Sequence, residues 1–289
     1  MKNNDLKNKK KKLLNIIKLF GYDLKGAKKI IAHNNFDAIL IFLLSKNLEK
    51  KKIFFDVGAN LGQSIERFKK FSKNFKIYSF EPTPALCEIL RTKYNNNDNI
   101  SINQIALGEE KGRTNFNSFK YHKINSILNI DQKSKFAKSR KIISKSDDKN
   151  FEEIIDVEIS SIDDYCGENN INHIDLLKID TQGFEDKVLK GSMNFLSKKS
   201  IDIIELELVL GFAYEKNLNF YDIEKILMQN DYKLIAIENG GNLISYSNLQ
   251  TNLIYAKKEL YEQIKEMHYK NLELPGIARS VSKKHPFSY

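Results

Sequence analysis

The chain has no tryptophan, and its 289 residues include only two cysteines and four prolines. Cys87 and Cys166 have neither the spacing of a zinc site nor the company of further cysteines that a disulfide framework would need. They are typical of reduced thiols. We therefore expect a cytoplasmic protein.

Long apolar runs are also missing. The most apolar stretch, Phe36–Leu44, has about half the length that a helix needs to span a bilayer. It predicts a buried helix, and no transmembrane segment is expected. The basic N-terminus runs into amphipathic Leu13–Phe20 without a small-residue cleavage site, so we expect no secretory signal peptide.

Positive charge is in excess, with a formal net charge of +10. Such a charge suggests an anionic partner, for example a nucleic acid. Much of it, however, lies in Lys2–Lys12 and Lys133–Lys149, and the abundant Lys, Asn and Ile are typical of AT-rich coding sequence. We therefore interpret the charge as compositional bias plus solvated segments, and a nucleic-acid partner is the weaker alternative.

Hydrophobic patterning divides the chain into three parts. Residues 1–50 form a basic tail and a helical extension that is a candidate dimer interface, residues 51–258 form the main domain, and residues 259–289 form a C-terminal helix and tail. In the main domain apolar runs alternate with helical patterns, which indicates an α/β fold with a mostly parallel sheet and helices on both faces. The segment 119–151, which contains the polar, Lys/Ser-rich stretch Asp131–Asn150, interrupts this pattern and predicts a lid or insertion.

The individual elements follow from the same patterns. The predicted strands are Ile53–Val57, Lys76–Phe80, Ile100–Leu107, Val157–Ile159, Ile174–Ile179, Ile201–Leu208, Tyr232–Glu238 and Asn252–Ala256, with Gly112–Phe119 as a short edge hairpin. The predicted helices are Gln63–Phe71, Pro84–Tyr94, Ser161–Cys166, Phe184–Leu196 and Phe220–Asn230. Asn252–Ala256 is expected to be antiparallel, because Gly240-Gly241 permits a hairpin-like return.

The sharpest motif is Asp56-Val57-Gly58-Ala59-Asn60-Leu61-Gly62, between a predicted strand and a predicted helix. Gly58 allows a tight turn and lets a ligand lie against bare backbone. Ligands of open α/β sheets bind at such strand ends. Glu81 and Pro82 follow the next strand, where a carboxylate can accept two hydrogen bonds from a ribose diol.

The spacing of the motif separates two classes of cofactor. The dinucleotide fingerprint requires G-x-G-x-x-G in front of a helix that faces a pyrophosphate. Here Asn60 stands two residues after Gly58. Asp56 would repel a pyrophosphate but would suit the cationic amino group of a methionine moiety. We therefore predict S-adenosylmethionine as the cofactor, and a plain strand–helix corner is the alternative.

Further segments extend this pattern from about Ile53 to Ala256. They are Phe55–Gly62, Phe80–Pro82, Ala106–Gly108, Leu176–Gly183, Glu185, Val188–Gly191, Leu206–Glu207, Tyr214, Phe220 and Ile223. Together they make the sequence similar to the FkbM-type methyltransferases. Several members of that family carry Glu where this chain has Gln182, so this chain must use another group if that Glu is the catalytic base.

The resemblance implies a seven-stranded Rossmann-like class I methyltransferase fold. It also implies methyl transfer from S-adenosylmethionine to a hydroxyl oxygen, on a sugar, a glycan or a related metabolite. The residues expected to bind the cofactor are Asp56, Gly58, Asn60, Gly62, Glu81, Pro82 and Ala106.

O-methylation needs an aligned hydroxyl oxygen and a group that takes its proton. Asp180 closes the apolar strand Ile174–Ile179 and is the first candidate for that base, or for the carboxylate that positions it. The alternative for Asp180 is a helix N-cap. Glu207 shares a sheet face with Glu205 and is the second candidate, with a salt bridge as the alternative.

His122, near the predicted lid, is a third candidate base, and a plain surface histidine is the alternative. His122 and His173 form no two-histidine metal signature, so no metal site is predicted. Two other functions stay open. RNA methylation would fit the charge, but the chain has no separate basic, aromatic module for single strands. A noncatalytic scaffold in glycan synthesis is disfavoured by the intact motif residues.

Overall fold

The computed structural model describes residues 36–44, 50–130, 135–145, 152–209, 214, 220–238 and 250–272. The chain separates into two compact units, Met1–Lys46 and Asn47–Tyr289. In the first unit Phe36–Leu44 forms helix α1, as expected, and its Leu40 is fully buried. The expectations for residues 1–35 and for the final tail lie outside the described residues. Across the described ranges, no helix is both long enough and apolar enough to cross a membrane.

The second unit contains ten strands and eight helices within the described residues. The strands are β1 (Lys52–Val57), β2 (Phe75–Phe80), β3 (Ile100–Asn103), β4 (Ala106–Leu107), β5 (Gly112–Phe119), β6 (Glu152–Ser160), β7 (Ile174–Ile179), β8 (Ile201–Val209), β9 (Tyr232–Ile237) and β10 (Gln250–Lys257). The helices are α2 (Gln63–Phe68), α3 (Pro84–Tyr94), α4 (Lys135–Ser144), α5 (Ile162–Glu168), α6 (Glu185–Lys190), α7 (Met193–Ser197), α8 (Phe220–Gln229) and α9 (Lys258–Leu272). A 3₁₀ turn covers His122–Ile124.

Seven of these strands form the main sheet, in the order β3-β2-β1-β7-β8-β10-β9. The first five run parallel, and β10 is antiparallel to both of its neighbours, as expected. The order of the strands along the sheet reverses between β1 and β7. This is the Rossmann-like arrangement expected from the sequence, and its topological switch point lies at the carboxyl ends of β1 and β7.

The core lies on the main sheet because its central strands are covered on both faces. All six residues of β7 are buried, and four of them are Ile or Leu, as is typical of a strand covered on both faces. The rings of Phe55, Phe80 and Tyr165 pack together, with Tyr165 edge-on to Phe80 at 4.8 Å between centroids. Such aromatic packing stabilises the sheet beside the switch point.

A second sheet has three strands, in the order β4-β6-β5, and it corrects two sequence predictions. The single strand expected over Ile100–Leu107 is wrong, because Ala106 and Leu107 pair with β6 instead of continuing along β2. The hairpin expected at Gly112–Phe119 is also wrong. This segment is one strand, since β6 is long enough to pair with all eight of its residues.

The helix expected over Phe184–Leu196 is two helices, α6 and α7. Gly191 lies between them against the backbone of Gly108, and a Cβ at position 191 would come within 1.9 Å of the Gly108 carbonyl oxygen. Helix α6 therefore ends at Gly191, where the chain lies against the backbone of Gly108.

The sequence also missed α4, inside the segment expected to be an irregular lid. Ala137 of this helix is fully buried. It joins a cluster that includes Ile124, Ile130 and Tyr214. Among the α4 residues whose side chains are described, only the small Ala137 is buried, so this part of the helix shows no apolar periodicity.

Candidate active site

A cleft of about 390 Å³ opens at the carboxyl ends of β1, β2, β7 and β8. Most of the site residues predicted from the sequence line it: Gly58, Asn60, Glu81, Pro82, Ala106, His122, Asp180 and Glu207. Asp56 and Gly62 lie outside the lining. Asp56 is buried at the end of β1, and Gly62 packs against the side chains of Leu90 and Tyr94 on α3.

The turn after β1 is held against the turn after β7. Gly58 has φ +85°, and a Cβ there would come within 1.9 Å of the Asp180 carbonyl oxygen. Only glycine satisfies both the backbone angle and the contact. The N–H groups of Gly58 and Ala59 both donate to the Phe80 carbonyl oxygen at 3.0 Å. The turn is therefore fixed from both neighbouring strands.

Glu81 is the buried carboxylate on the β2 side of the cleft. The Asn60 N–H donates to its Oε2 and the Thr83 N–H to its Oε1, each at 2.9 Å. Burial raises the pKa of Glu81, while these donors act in the opposite direction. A carboxylate offers about four acceptor sites, so Glu81 can still accept hydrogen bonds from a ligand diol.

The side chain of Asn60 connects this turn to the His122 segment. Its Nδ2 donates to the His122 carbonyl oxygen at 3.0 Å, and its Oδ1 accepts from the Leu61 N–H at 2.9 Å. His122 begins the 3₁₀ turn at the edge of the cleft. Burial lowers the pKa of its imidazole below 6.5. At neutral pH His122 is therefore uncharged and able to accept a proton.

Asp180 and Glu207 face each other across the side chain of Gln182. The Gln182 amide nitrogen donates to Asp180 Oδ1 at 2.9 Å and to Glu207 Oε2 at 2.6 Å. Its Oε1 accepts from the Tyr214 hydroxyl and from Gln250 Nε2, both at 3.2 Å. All the hydrogen-bonding capacity of this amide is used, so its orientation is fixed.

The surroundings of the two carboxyl groups shift their pKa values in opposite directions. Burial raises the pKa of Asp180, but Lys178 Nζ, which donates to its Oδ2 at 3.1 Å, and Gln182 together bring that pKa below its usual value. Burial and the negative charge of Asp180 raise the pKa of Glu207 far above its usual value. These opposite shifts favour the negative charge on Asp180 and the proton on Glu207.

The loop that presents Asp180 is closed around another acid, Glu185. This residue is fully buried, and its carboxylate accepts from the N–H groups of Thr181 and Gly183 at 3.0 Å each. Burial raises its pKa to about 7. The alternative role of Asp180 as a helix cap is excluded, because α6 begins after Phe184 without a side-chain cap.

The sequence analysis missed several polar residues of the lining, among them Arg67, Asn125, Lys178, Gln250 and Asn252. Only Lys178 left a signal, as a lone lysine inside an apolar strand. The amide residues reach the cleft from segments that are distant in sequence.

One other cluster has the composition of a metal site: His173, Asp175 and Asp202 have ligand atoms within 4.8 Å of one another. It lies at the amino ends of β7 and β8, away from the cleft. Asp175 already pairs with Lys52 Nζ at 2.8 Å, and Asp202 pairs with Lys257. These lysines neutralise the carboxylates, so the cluster is an ion-pair network.

The model of the methyltransferase FkbM domain matches residues 56–234, more than half of the chain. The chain belongs to the FkbM methyltransferase family. The family expected from the sequence is thereby confirmed, and so is S-adenosylmethionine as the cofactor. The cleft fits such a group, because its volume of about 390 Å³ lies within the usual range for ligand pockets, about 300–1,000 Å³, and Glu81 offers acceptors for a diol.

Curated relatives match part of this FkbM methyltransferase. It is 26% identical over 149 residues to the 2-O-methyltransferase NoeI of Sinorhizobium fredii, which covers 50% of the chain and 59% of NoeI. It is 30% identical over 160 residues to the methyltransferase sdnD of Sordaria araneosa, covering 50% of the chain and 62% of sdnD. The match thus spans less than two thirds of either relative.

Solved structures are more distant. The precorrin-6y C5,15-methyltransferase of Geobacter metallireducens aligns with a TM-score of 0.39 and 11% identity, over 80% of this chain and 92% of that one.

Proposed function

We propose that this FkbM methyltransferase methylates a hydroxyl oxygen on a sugar, a glycan or a related small metabolite. The proposal is carried by the carboxyl pair of Asp180 and Glu207, which lies in the same cleft as Gly58 and Glu81. A neutral alcohol is a poor nucleophile. A carboxylate beside the acceptor can remove its proton as the oxygen–methyl bond forms.

Asp180 is the base in this proposal. S-Adenosylmethionine supplies a methyl group on a positively charged sulfur, which leaves as a neutral thioether. Asp180 accepts the hydroxyl proton, while Gln182 and Lys178 hold its carboxylate in place through the two hydrogen bonds described above. Glu207 keeps its own proton and supports the charge on Asp180.

The polarity of the lining favours a hydroxyl-rich acceptor. The amide side chains of Asn125, Gln250 and Asn252 line the cleft together with the carboxyl pair. Amides and carboxyls provide both donors and acceptors, which polyol hydroxyls require. One relative is named a 2-O-methyltransferase, which agrees with oxygen as the acceptor atom.

The test is methyl transfer by Asp180→Asn, which keeps the shape of the side chain and removes its charge. Labelled S-adenosylmethionine is offered with monosaccharides, nucleotide sugars and glycan extracts, and total RNA forms a separate arm. We expect transfer to a hydroxyl-bearing acceptor to fall by about 10²–10⁴-fold, the usual contribution of a general base. Affinity for S-adenosylhomocysteine should hardly change in calorimetry.

The matched control is Asp186→Asn, an acid on α6 that pairs with Lys190 and lies outside the cleft lining. It should transfer methyl groups like the wild type. Normal turnover by Asp180→Asn would move the base to His122 or Glu207. Label found in RNA alone would overturn the proposed acceptor class.

A further inference from the structure

A row of buried charges crosses the main sheet beside the cleft. Asp56 on β1, Lys178 on β7 and Glu205 on β8 are register partners on three neighbouring strands. Their side chains therefore share one face of the sheet. They are 0%, 7% and 1% exposed. Arg67 of α2 ion-pairs with Glu205, so that the charges alternate in sign along the row.

Lys178 connects this row to Asp180. Its Nζ lies 3.1 Å from Asp180 Oδ2 and 4.0 Å from Asp56 Oδ1. Burial disfavours the ammonium ion, but Asp180 and Asp56 outweigh that effect and raise the pKa of Lys178 above its usual value. Lys178 therefore stays charged across the range in which proteins are stable.

The neutral donors around the carboxyl pair do not favour Asp180 as the ionised group. Gln182 donates to both Asp180 and Glu207, and Gln250 Nε2 donates to Glu207 Oε2 at 3.0 Å. Lys178 is the donor that favours Asp180, because its ammonium group hydrogen-bonds with Asp180. A positive charge in direct contact favours ionisation of the group that it touches.

We propose that Lys178 is the positioning residue that decides which member of the carboxyl pair is ionised, and that it assigns the charge to Asp180 and the proton to Glu207. Its part in catalysis rests on the proposed function, in which Asp180 is the base. The assignment of the proton follows from the buried charges alone. Asp56, on the other side of the ammonium group, in turn holds Lys178.

The other acids around Asp180 oppose its ionisation whenever they are themselves ionised. They are Asp56 on β1, Glu207 on β8 and Glu185 on α6, whose pKa values are all raised by the charge of Asp180. In its protonated form Glu207 instead lowers the pKa of Asp180 through a hydrogen bond. The Tyr214 hydroxyl stays protonated, because burial raises its pKa well above the usual value. Repulsion among these acids would protonate Asp180 if the charge of Lys178 were removed.

The experiment is a titration of the side-chain carboxyls by ¹³C NMR on the full chain, labelled at Asp and Glu. The Asp180 and Glu207 signals are assigned with Asp180→Asn and Glu207→Gln. In Lys178→Met, we expect the midpoint of Asp180 to rise by about one to three pH units, the usual effect of an opposite charge at this distance. Lys178→Arg, which keeps the charge, should restore a low midpoint.

The matched control is Lys52→Met. Lys52 is also buried and pairs with Asp175 at 2.8 Å, but at the amino ends of the strands. It should leave both titrations unchanged, which separates the effect of charge from the general cost of losing a buried ion pair. If Lys178→Met does not fold, Lys178→Gln, which keeps a donor without a charge, is titrated in its place.

An Asp180 midpoint that stays low without the Lys178 charge would overturn the inference. The pH dependence of methyl transfer tests the catalytic part separately. The acid limb of the rate profile should move upward in Lys178→Met by as much as the Asp180 midpoint does. If the NMR midpoint moves and no hydroxyl acceptor is methylated by the wild type, the proposed function fails while the role of Lys178 in placing the proton stands.

Discussion

At the scale of single residues, Glu81 offers the most direct test of cofactor binding. We expect Glu81→Ala to weaken binding of S-adenosylhomocysteine by about 1.5–3 kcal/mol, the usual value of a hydrogen bond to a charged group. Calorimetry measures this loss. The control is Glu88→Ala, an exposed acid on α3, which should bind normally. Unchanged affinity in a well-folded Glu81→Ala would show that this carboxylate does not hold the cofactor.

The environment of Glu207 predicts how the stability of the folded chain depends on pH. Its pKa is raised from 4.5 by burial and by Asp180. The folded chain therefore holds a proton that the unfolded chain releases above about pH 4.5. The stability from this group is complete below that pH and declines as the pH rises, until Glu207 ionises in the alkaline range.

Thermal unfolding measured as a function of pH tests this. Glu207→Gln removes the titration, so its melting temperature should fall less than that of the wild type between pH 5 and the alkaline range. Two parallel profiles would mean that Glu207 is ionised in the folded chain at neutral pH.

The residues of the site differ in how far the sequence could predict them. Gly58 and Glu81 follow strands directly, so local pattern alone placed them at the cleft. The pairing of Asp180 with Glu207 through Gln182 was beyond the sequence, because it depends on the register of β7 on β8. Gln250 arrives from β10, some seventy residues further along the chain.

At the scale of elements, α4 lies within the segment 119–151, for which a lid remains a prediction. Ala137 docks this helix against the cluster that contains Tyr214. Because a buried carboxylate without a partner is costly, we expect Ala137→Asp to release α4 and to reduce acceptor turnover. S-Adenosylhomocysteine affinity should be nearly unchanged. Turnover and calorimetry measure the two effects.

The control for this prediction is Lys138→Asp, which places the same side chain at the exposed neighbouring position. Its rate of acceptor methylation should be closer to that of the wild type than the rate of Ala137→Asp is. If Ala137→Asp keeps full turnover, the helix is an insertion without a role in the reaction.

Elements whose ends are set locally were predicted well. Pro84–Tyr94 begins with proline at its first turn, and Ile174–Ile179 is a bounded apolar run; both were predicted with their observed limits. The wrong predictions concern elements whose limits depend on residues far away in the sequence. β4 joined the second sheet because β6 offered it a partner, and Gly191 ended α6 because the Gly108 loop passes beside it.

At the scale of the whole molecule, ligand binding should be visible as stability. A ligand that binds only the folded chain stabilises it by mass action, by about 2.7 kcal/mol at a hundred times its Kd. S-Adenosylhomocysteine should therefore raise the melting temperature, and NAD should not. The control is Glu81→Ala, in which S-adenosylhomocysteine should raise the melting temperature by less than in the wild type. Stabilisation by NAD in place of S-adenosylhomocysteine would contradict the assigned cofactor.

The contact between Gly58 and the Asp180 carbonyl oxygen limits how this cleft can be redesigned. Because there is no space for a methyl group between the two turns, the backbone of one turn lies directly against the backbone of the other. A substitution intended to admit a bulkier cofactor analogue at this turn would displace Asp180 as well. We therefore expect new cofactor specificity to be more accessible at Glu81, which lines the cleft on the β2 side.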